Sequence, residues 1–123
     1  MAKILIVDDD QDFVEAISIV LKSNGYEVAS ANSRAAGMEA VKKESPDLIV
    51  LDVMLEQPDD GFTMAQDLRR QGTGTPILML TSVGKISGMV YDKDPEMVPV
   101  DAFEEKPIQP DKLLAKVKEL LSE

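Results

Sequence analysis

Three continuous apolar runs, each followed at once by polar side chains, constrain the fold of this chain more than any other feature. The runs are Ile4–Val7, Leu48–Leu51 and Pro76–Leu80. Uninterrupted runs of this length are typical of central strands in a parallel sheet, because helices cover both faces of such strands. We therefore predict three buried parallel strands whose carboxyl ends meet a polar edge.

Segments of helical periodicity separate the predicted strands. Apolar residues recur every three or four positions in four segments, which cover residues 12–24, 33–44, 62–72 and 110–121. Asn32 or Ser33 can cap the second of these helices. Weaker strands are predicted at Tyr26–Ser30 and Val100–Phe103. Alternating strands and helices form βαβ units around a parallel sheet, and the 123 residues fit one such domain, 1–123.

The segment Gly84–Pro99 departs from this pattern. It should hold the helix between the fourth and fifth strands, but it contains two glycines and two prolines. A glycine costs about 1 kcal/mol inside a helix and a proline about 3 kcal/mol. We therefore expect the fourth helix to be shortened or irregular and this segment to be mobile.

Composition excludes several kinds of chemistry. The chain has no cysteine and no histidine, so disulfides, thiolate nucleophiles, imidazole bases and zinc–histidine sites are all ruled out. A formal charge of −10 argues against direct nucleic-acid binding, which needs clustered Lys and Arg. Ile4–Val7 is too short for a secretory signal core or a membrane span. We expect a cytoplasmic protein that binds neither nucleic acid nor membranes.

Polar side chains stand where four of the predicted strands stop. Asp8 and Asp9 follow the first strand, Asp52 the third, Thr81 the fourth and Lys106 the fifth. In an open parallel sheet the ligand site lies beyond the carboxyl ends of the strands, so these side chains should share one cleft. Crowded carboxylates favour a hard divalent cation such as Mg2+, and a hydroxyl and an ammonium beside it suit a phosphoryl group.

Each of these residues also has a purely structural interpretation. The Asp8–Asp10 run could cap a helix, Asp52 and Thr81 could stabilise local turns, and Lys106 could be a solvated surface lysine. The coincidence of acids, a hydroxyl and an ammonium at the ends of different strands favours a shared site.

Five ordered motifs carry a resemblance that covers nearly the whole chain. They are Ile4–Asp10, Pro46–Leu55, Asp60–Phe62, Pro76–Ser82 and Lys106–Pro107. With them the chain resembles the receiver domain of bacterial two-component response regulators, of the single-domain chemotaxis-receiver type. The resemblance implies a flavodoxin-like (βα)5 doubly wound parallel sheet with the strand order 2-1-3-4-5.

The resemblance also implies a role for each site residue. Asp52 would accept a phosphoryl group from a sensor histidine kinase or a phosphotransfer protein. Asp8 and Asp9 would hold Mg2+ or Mn2+, with Asp9, Asp52 and the backbone carbonyl of Met54 as direct ligands. Thr81 would bind a phosphoryl oxygen, and Lys106 would offset the added charge.

Two further positions complete the implied site. Pro107 would follow a cis peptide bond that aims the lysine into the cleft. Phe103 stands where the family often has a switch tyrosine, so its coupling to Thr81 would act through space-filling rather than through a hydroxyl.

The resemblance implies a signalling domain rather than an enzyme, one that assists its own phosphorylation and dephosphorylation. It would act on a downstream protein or relay the phosphoryl group, as a monomer or weak dimer. Two alternatives remain open. A receiver-like scaffold would bind partners without phosphorylation, and a Mg-dependent haloacid-dehalogenase-like phosphatase would use the Asp-x-Asp spacing of Asp8–Asp10.

Overall fold

The computed structural model describes residues 2–52, 60–82, 101–106 and 108–121. Six of these residues are described by their backbone alone: Asp60, Phe62, Thr81, Ser82, Glu105 and Lys106. Strands and helices alternate as the sequence predicts, apart from the last two strands, between which residues 83–100 lie outside the described part of the chain. In chain order they are β1 Lys3–Val7, α1 Gln11–Ser23, β2 Glu27–Ala31, α2 Arg34–Glu44, β3 Leu48–Asp52, α3 Asp60–Arg70, β4 Ile77–Ser82, β5 Ala102–Lys106 and α4 Pro110–Leu121.

All five strands form one parallel sheet in the order β2-β1-β3-β4-β5. The flavodoxin-like fold and its strand order are therefore confirmed. The helix predicted between β4 and β5 falls in residues 83–100, outside the described part of the chain. No helix among the described residues is long and apolar enough to cross a membrane.

The core has two layers, one on each face of the sheet, because strand side chains alternate between faces. Ile4 and Ile6 pack in a cluster with buried residues of α1 and α4. Leu5 and Val7, their neighbours in β1, pack in a second cluster with buried residues of α3 and half-buried residues of α2. Helices on both faces explain why the central strands are continuously apolar.

Capping side chains set where two helices begin. The Oγ of Ser33 accepts a hydrogen bond from the backbone N–H of Ala36 at 3.1 Å, which identifies Ser33 rather than Asn32 as the cap of α2. An Asp10 carboxylate oxygen accepts one from the N–H of Phe13 at 3.1 Å and caps α1. The capping interpretation of the acidic run therefore holds for Asp10.

Gly37 lets α2 approach both the sheet and α3. A Cβ atom at this buried position would lie 2.9 Å from Cγ1 of Val7 and 3.0 Å from Cε of Met64. Real Cβ atoms are essentially never closer than 3.0 Å to another side chain, so the packing of α2 requires a glycine here.

The ends of β4 and β5 differ from the prediction. Thr81, Ser82 and Lys106 are the last residues of strands rather than the residues that follow them, and β5 begins at Ala102. The pairing of Thr81 with Glu105 and of Ser82 with Lys106 extends both strands. Hydrogen bonding to the neighbouring strand, rather than apolar character, decides these bounds.

Candidate functional site

Asp8 and Asp52 stand side by side because β1 and β3 are neighbours in register. Val7 pairs with Leu51, and each aspartate is the next residue along its strand direction. Both side chains are buried, with 1% of Asp8 and 7% of Asp52 exposed. Burial of two carboxylates is unusual, because an ionised group loses its hydration unless other groups replace it.

Backbone hydrogen bonds hold Asp8 in place. Its N–H donates to the carbonyl oxygen of Ala31 at 3.0 Å, which continues the pairing of β1 with β2. Its Oδ1 accepts a hydrogen bond from the N–H of Asp10 at 2.9 Å. One oxygen of the carboxylate is thus oriented by the turn into α1.

Asp9 completes a cluster of three carboxylates. Asp8, Asp9 and Asp52 each offer one oxygen, and these three atoms lie within 4.8 Å of one another. Asp9 is exposed, so the cluster opens to solvent on its side. Clustered oxygens with formal negative charge and an open side are the ligand set that Mg2+ and Mn2+ prefer, so these residues fit a hard divalent cation.

The backbones of Thr81 and Lys106 lie at the same edge of the sheet. Asp52 pairs with Leu80, which makes Thr81 the next residue beyond Asp52 on the adjacent strand. Lys106 pairs with Ser82 at the end of β5. All four strand ends of the predicted cleft are therefore at one edge. Met54 and Pro107, the remaining predicted site residues, lie outside the described residues.

Phe103, the predicted switch residue, pairs with Met79 in the interior of β5. It is half-buried and packs against the apolar cluster that includes Met79 and the buried side of α3. Its ring is therefore part of the second core layer and not a solvated side chain.

Arg69 and Asp101 form an ion pair that the sequence patterns do not indicate. The guanidinium of Arg69 contacts the Asp101 carboxylate across 32 positions of the chain. The only signal is that a charged residue stands at the end of α3 and another just before β5. This signal is weak, since charged residues are common where elements end.

Comparison with known proteins agrees with the fold. The model of the response regulator receiver domain family matches residues 4–118. The DNA-binding dual master transcriptional regulator RpaA of Synechocystis sp. is 38% identical, and the match covers 98% of this chain and 49% of RpaA. The alkaline phosphatase synthesis transcriptional regulatory protein PhoP of Bacillus subtilis is 37% identical, with 97% of this chain and 48% of PhoP covered.

The chain thus spans about half the length of the curated relatives it matches. Among solved structures, a CheY-like response regulator receiver domain protein from Methanospirillum hungatei superposes with a TM-score of 0.86 at 28% identity. That match covers 99% of this chain and 94% of the other. With the family match over most of its length, this chain belongs to the response regulator receiver domains of two-component signal transduction.

Proposed function

We propose that Asp52 is the phosphoacceptor of this receiver domain. The observation that carries the proposal is a buried aspartate at the end of β3 with two further carboxylates within 4.8 Å. A carboxylate is a weak nucleophile, and it needs the charge of the incoming phosphoryl group to be neutralised nearby. An oxygen of Asp52 would attack the phosphorus of a phosphohistidine, forming an O–P bond as the P–N bond breaks and the imidazole leaves.

Asp8, Asp9 and Asp52 would hold Mg2+ or Mn2+, with the backbone carbonyl of Met54 as a further ligand. The bound cation would neutralise charge on the phosphoryl oxygens and on the carboxylates. The hydrogen bond from the N–H of Asp10 to Asp8 orients one ligand before any cation arrives. Asp9 is exposed, so it can rotate to meet a cation that enters from solvent.

Thr81 and Lys106 would bind the phosphoryl group from the strands beside Asp52. Phosphorylation adds about −1.5 to −2 charge at neutral pH, which an ammonium at the end of β5 would offset. Pro107, after a cis peptide bond, would set the direction of that lysine. Phe103 would report phosphorylation by repacking against the second core layer, because it packs there and lies three residues before Lys106 on β5.

The partner in phosphoryl uptake would be a sensor histidine kinase or a phosphotransfer protein in the cytoplasm. Receiver domains of response regulators pair with histidine kinases, and RpaA is named as DNA-binding. The domain would assist its own phosphorylation and dephosphorylation and would signal to a downstream protein or relay the phosphoryl group. The domain proposed for this role spans residues 1–123.

Intact-mass measurement tests the proposal directly. The wild-type protein incubated with Mg2+ and phosphoramidate should gain the mass of one phosphoryl group, whereas Asp52→Asn and a Mg2+-free sample should gain none. Asp47→Asn is a matched control, because Asp47 precedes the same strand at its opposite end. It should be phosphorylated like the wild type.

Two results would contradict this assignment. Uptake by Asp52→Asn at the wild-type rate would place the acceptor elsewhere. No uptake by the wild type, from phosphoramidate or from a phosphorylated histidine kinase, would favour the scaffold alternative.

A further inference from the structure

Arg69 ties together three chain segments at the amino-terminal edge of the sheet, the edge opposite the carboxylate cluster. Its guanidinium donates to the carbonyl oxygens of Thr73 at 2.8 Å and Thr75 at 2.9 Å, in the connection from α3 to β4. It also donates to Oδ2 of Asp101 at 2.9 Å. The three hydrogen bonds fix the guanidinium against the segment that leads into β4.

Asp101 extends this contact to both strands. Its Oδ2 also accepts the N–H of Ile77, the first residue of β4, at 2.8 Å. Its own N–H donates to the carbonyl oxygen of Ile77 at 3.0 Å. Asp101 therefore pairs with Ile77 through both backbone and side chain, immediately before β5 begins. We call Arg69 and Asp101, with these hydrogen bonds, the Arg69–Asp101 clamp.

The clamp is too exposed to act mainly as a source of stability. The side chains of Arg69 and Asp101 are 26% and 43% exposed, and ion pairs near the surface contribute little to the free energy of folding. The geometry of the clamp says more about its role than its contribution to the free energy of folding does. Charge-assisted hydrogen bonds are directional, and here they join α3, β4 and the start of β5 at one point.

The sequence of β5 specifies its own register poorly. Only Ala102 and Phe103 are apolar among its five residues, and the remaining three are charged. Register is weakly specified in a strand without a clear apolar face. β5 is also the last strand of the described sheet and pairs with β4 alone. Ala102 and Phe103 pack against opposite core layers, and a contact next to the strand adds to their selection of one alignment.

The register of β5 decides where Lys106 stands. In the observed alignment Leu78 pairs with Ala102 and Ser82 pairs with Lys106. A slip by one residue would move Lys106 by about 3.3 Å along the strand and reverse the face on which it lies. The clamp is at one end of β5, and Lys106 is at the other.

We propose that Arg69 and Asp101 are positioning residues for phosphoryl uptake, because their clamp sets the register of β5 and thereby the position of Lys106 relative to Asp52. The inference rests on the proposed function, in which Lys106 offsets the charge of the phosphoryl group. It assigns a role in that chemistry to two side chains at the far edge of the sheet.

A double-mutant cycle tests the inference. The rate of phosphoryl uptake from phosphoramidate with Mg2+ is measured for the wild type, Asp101→Ala, Lys106→Met and the double variant. Small misplacements of a catalytic group reduce rates strongly, so Asp101→Ala should be about tenfold slower than the wild type. In the Lys106→Met background the same change should have no further effect, because the group that it misplaces is gone.

Mg2+ affinity, measured by calorimetry, separates positioning from general loosening of the fold. Asp8 and Asp9 follow β1 and Asp52 ends β3, so Asp101→Ala should bind Mg2+ as the wild type does. Arg69→Gln should reproduce the slower uptake. If Asp101→Ala fails to fold, Asp101→Asn is the milder variant, because its side-chain oxygen can still accept the hydrogen bond from the N–H of Ile77. Arg34→Gln is the matched control, because it breaks an Arg–Asp pair between α2 and α3 without touching β5.

Three outcomes would overturn the inference. An equal slowing by Asp101→Ala in both backgrounds would show that the clamp does not act through Lys106. Parallel losses of Mg2+ affinity and of rate would show a general disturbance. Wild-type uptake by Lys106→Met would remove the proposed role of the lysine itself, and this single-variant result distinguishes failure of the proposed function from failure of the clamp.

Discussion

A carboxylate oxygen of Asp8 and one of Asp52 lie within 4.8 Å of each other, although both side chains are buried. Two ionised carboxylates at this distance repel each other unless a cation or hydrogen-bond donors compensate their charge. They are this close because β1 and β3 pair in register up to Val7 and Leu51, the residues that precede them.

Mg2+ should stabilise the folded protein through Asp9 and not through its neighbour Asp10. At about 100 times its dissociation constant, a ligand that binds only the folded state raises the free energy of unfolding by about 2.7 kcal/mol. Urea unfolding followed by circular dichroism should show this increment in the wild type and little of it in Asp9→Ala.

Asp10→Ala is the matched control for that measurement. It removes the cap of α1 and should cost about 1 kcal/mol, yet it should keep the full Mg2+ increment. Equal loss of the increment in both variants would contradict the assignment of the cluster.

Gly37→Ala should destabilise the protein by about 1–3 kcal/mol through overpacking. Alanine favours a helix over glycine by about 1 kcal/mol, but the new methyl group would meet Val7 and Met64 at 2.9–3.0 Å. Thermal unfolding of Gly37→Ala, Val7→Ala and the double variant checks this explanation. The double variant should be more stable than the sum of the two single losses predicts. Additive losses in the free energy of unfolding would contradict overpacking against Val7.

The charge of Glu104 should be compensated by either of two lysines on α4, so that the protein stays stable while at least one of them is present. The side chain of Glu104 is 10% exposed. Its Oε1 lies 3.0 Å from Nζ of Lys112, and its Oε2 lies 3.8 Å from Nζ of Lys116. Lys112→Met or Lys116→Met alone should cost at most about 1 kcal/mol. Together they should cost about 2–3 kcal/mol, because they leave a largely buried charge poorly compensated.

Chemical denaturation measures these differences, and Glu104→Gln in the double lysine variant should restore most of the loss. Glu119→Gln breaks only the exposed pair with Lys116 and should have almost no effect. A double lysine variant as stable as either single one would rule out this role of Glu104.

Stability should depend on the protonation of Lys3 at alkaline pH. A hydrogen bond with Glu44, at 3.1 Å, raises the pKa of Lys3 above its ordinary value of 10.5; desolvation opposes this shift, and the charges of Glu44, Glu27 and Asp47 add to it. A raised pKa in the folded state means that Lys3 contributes its full stabilisation below the unfolded pKa and loses it as the pH rises through the folded pKa.

The stability difference between the wild type and Lys3→Met should therefore be constant from pH 7 to about 10 and shrink above that range. Urea unfolding at a series of pH values gives this difference. Glu44→Gln removes the largest cause of the shift, so the same comparison in that background should depend less on pH. A stability difference between the wild type and Lys3→Met that grows at alkaline pH would contradict the upward shift of the Lys3 pKa.

Most of the fold could be predicted from the sequence because burial on both faces leaves a local signal. Leu48–Leu51 is continuously apolar, and it lies at the centre of the sheet with both neighbouring strands paired to it. The bounds of β5 are harder to predict, since its residues are mostly charged and its ends depend on hydrogen bonds to β4. The sequence of such an edge strand has no hydrophobic periodicity that indicates where the strand begins and ends.

The carboxylate cluster could be anticipated for a related reason. An acid at the end of an apolar run is visible in the sequence, and the geometry of parallel sheets brings such ends together. The helical cap at Asp10 could not be separated from its neighbours Asp8 and Asp9 in the same way. Only the direction of each side chain shows that one acid caps α1 and the other two face Asp52.

Local patterns along the chain are enough to predict the alternation of elements, the two-sided burial of the central strands and the residue types at the strand ends. The tertiary structure was needed for the distances within the carboxylate cluster, whose presence the strand ends already indicate, and for contacts that leave no local signal. The carboxylates of Asp8 and Asp52 become neighbours through the pairing of β1 with β3, and Arg69 finds Asp101 across 32 positions. Such contacts depend on register and on the course of the chain in three dimensions, and neither is encoded in the spacing of residues along it.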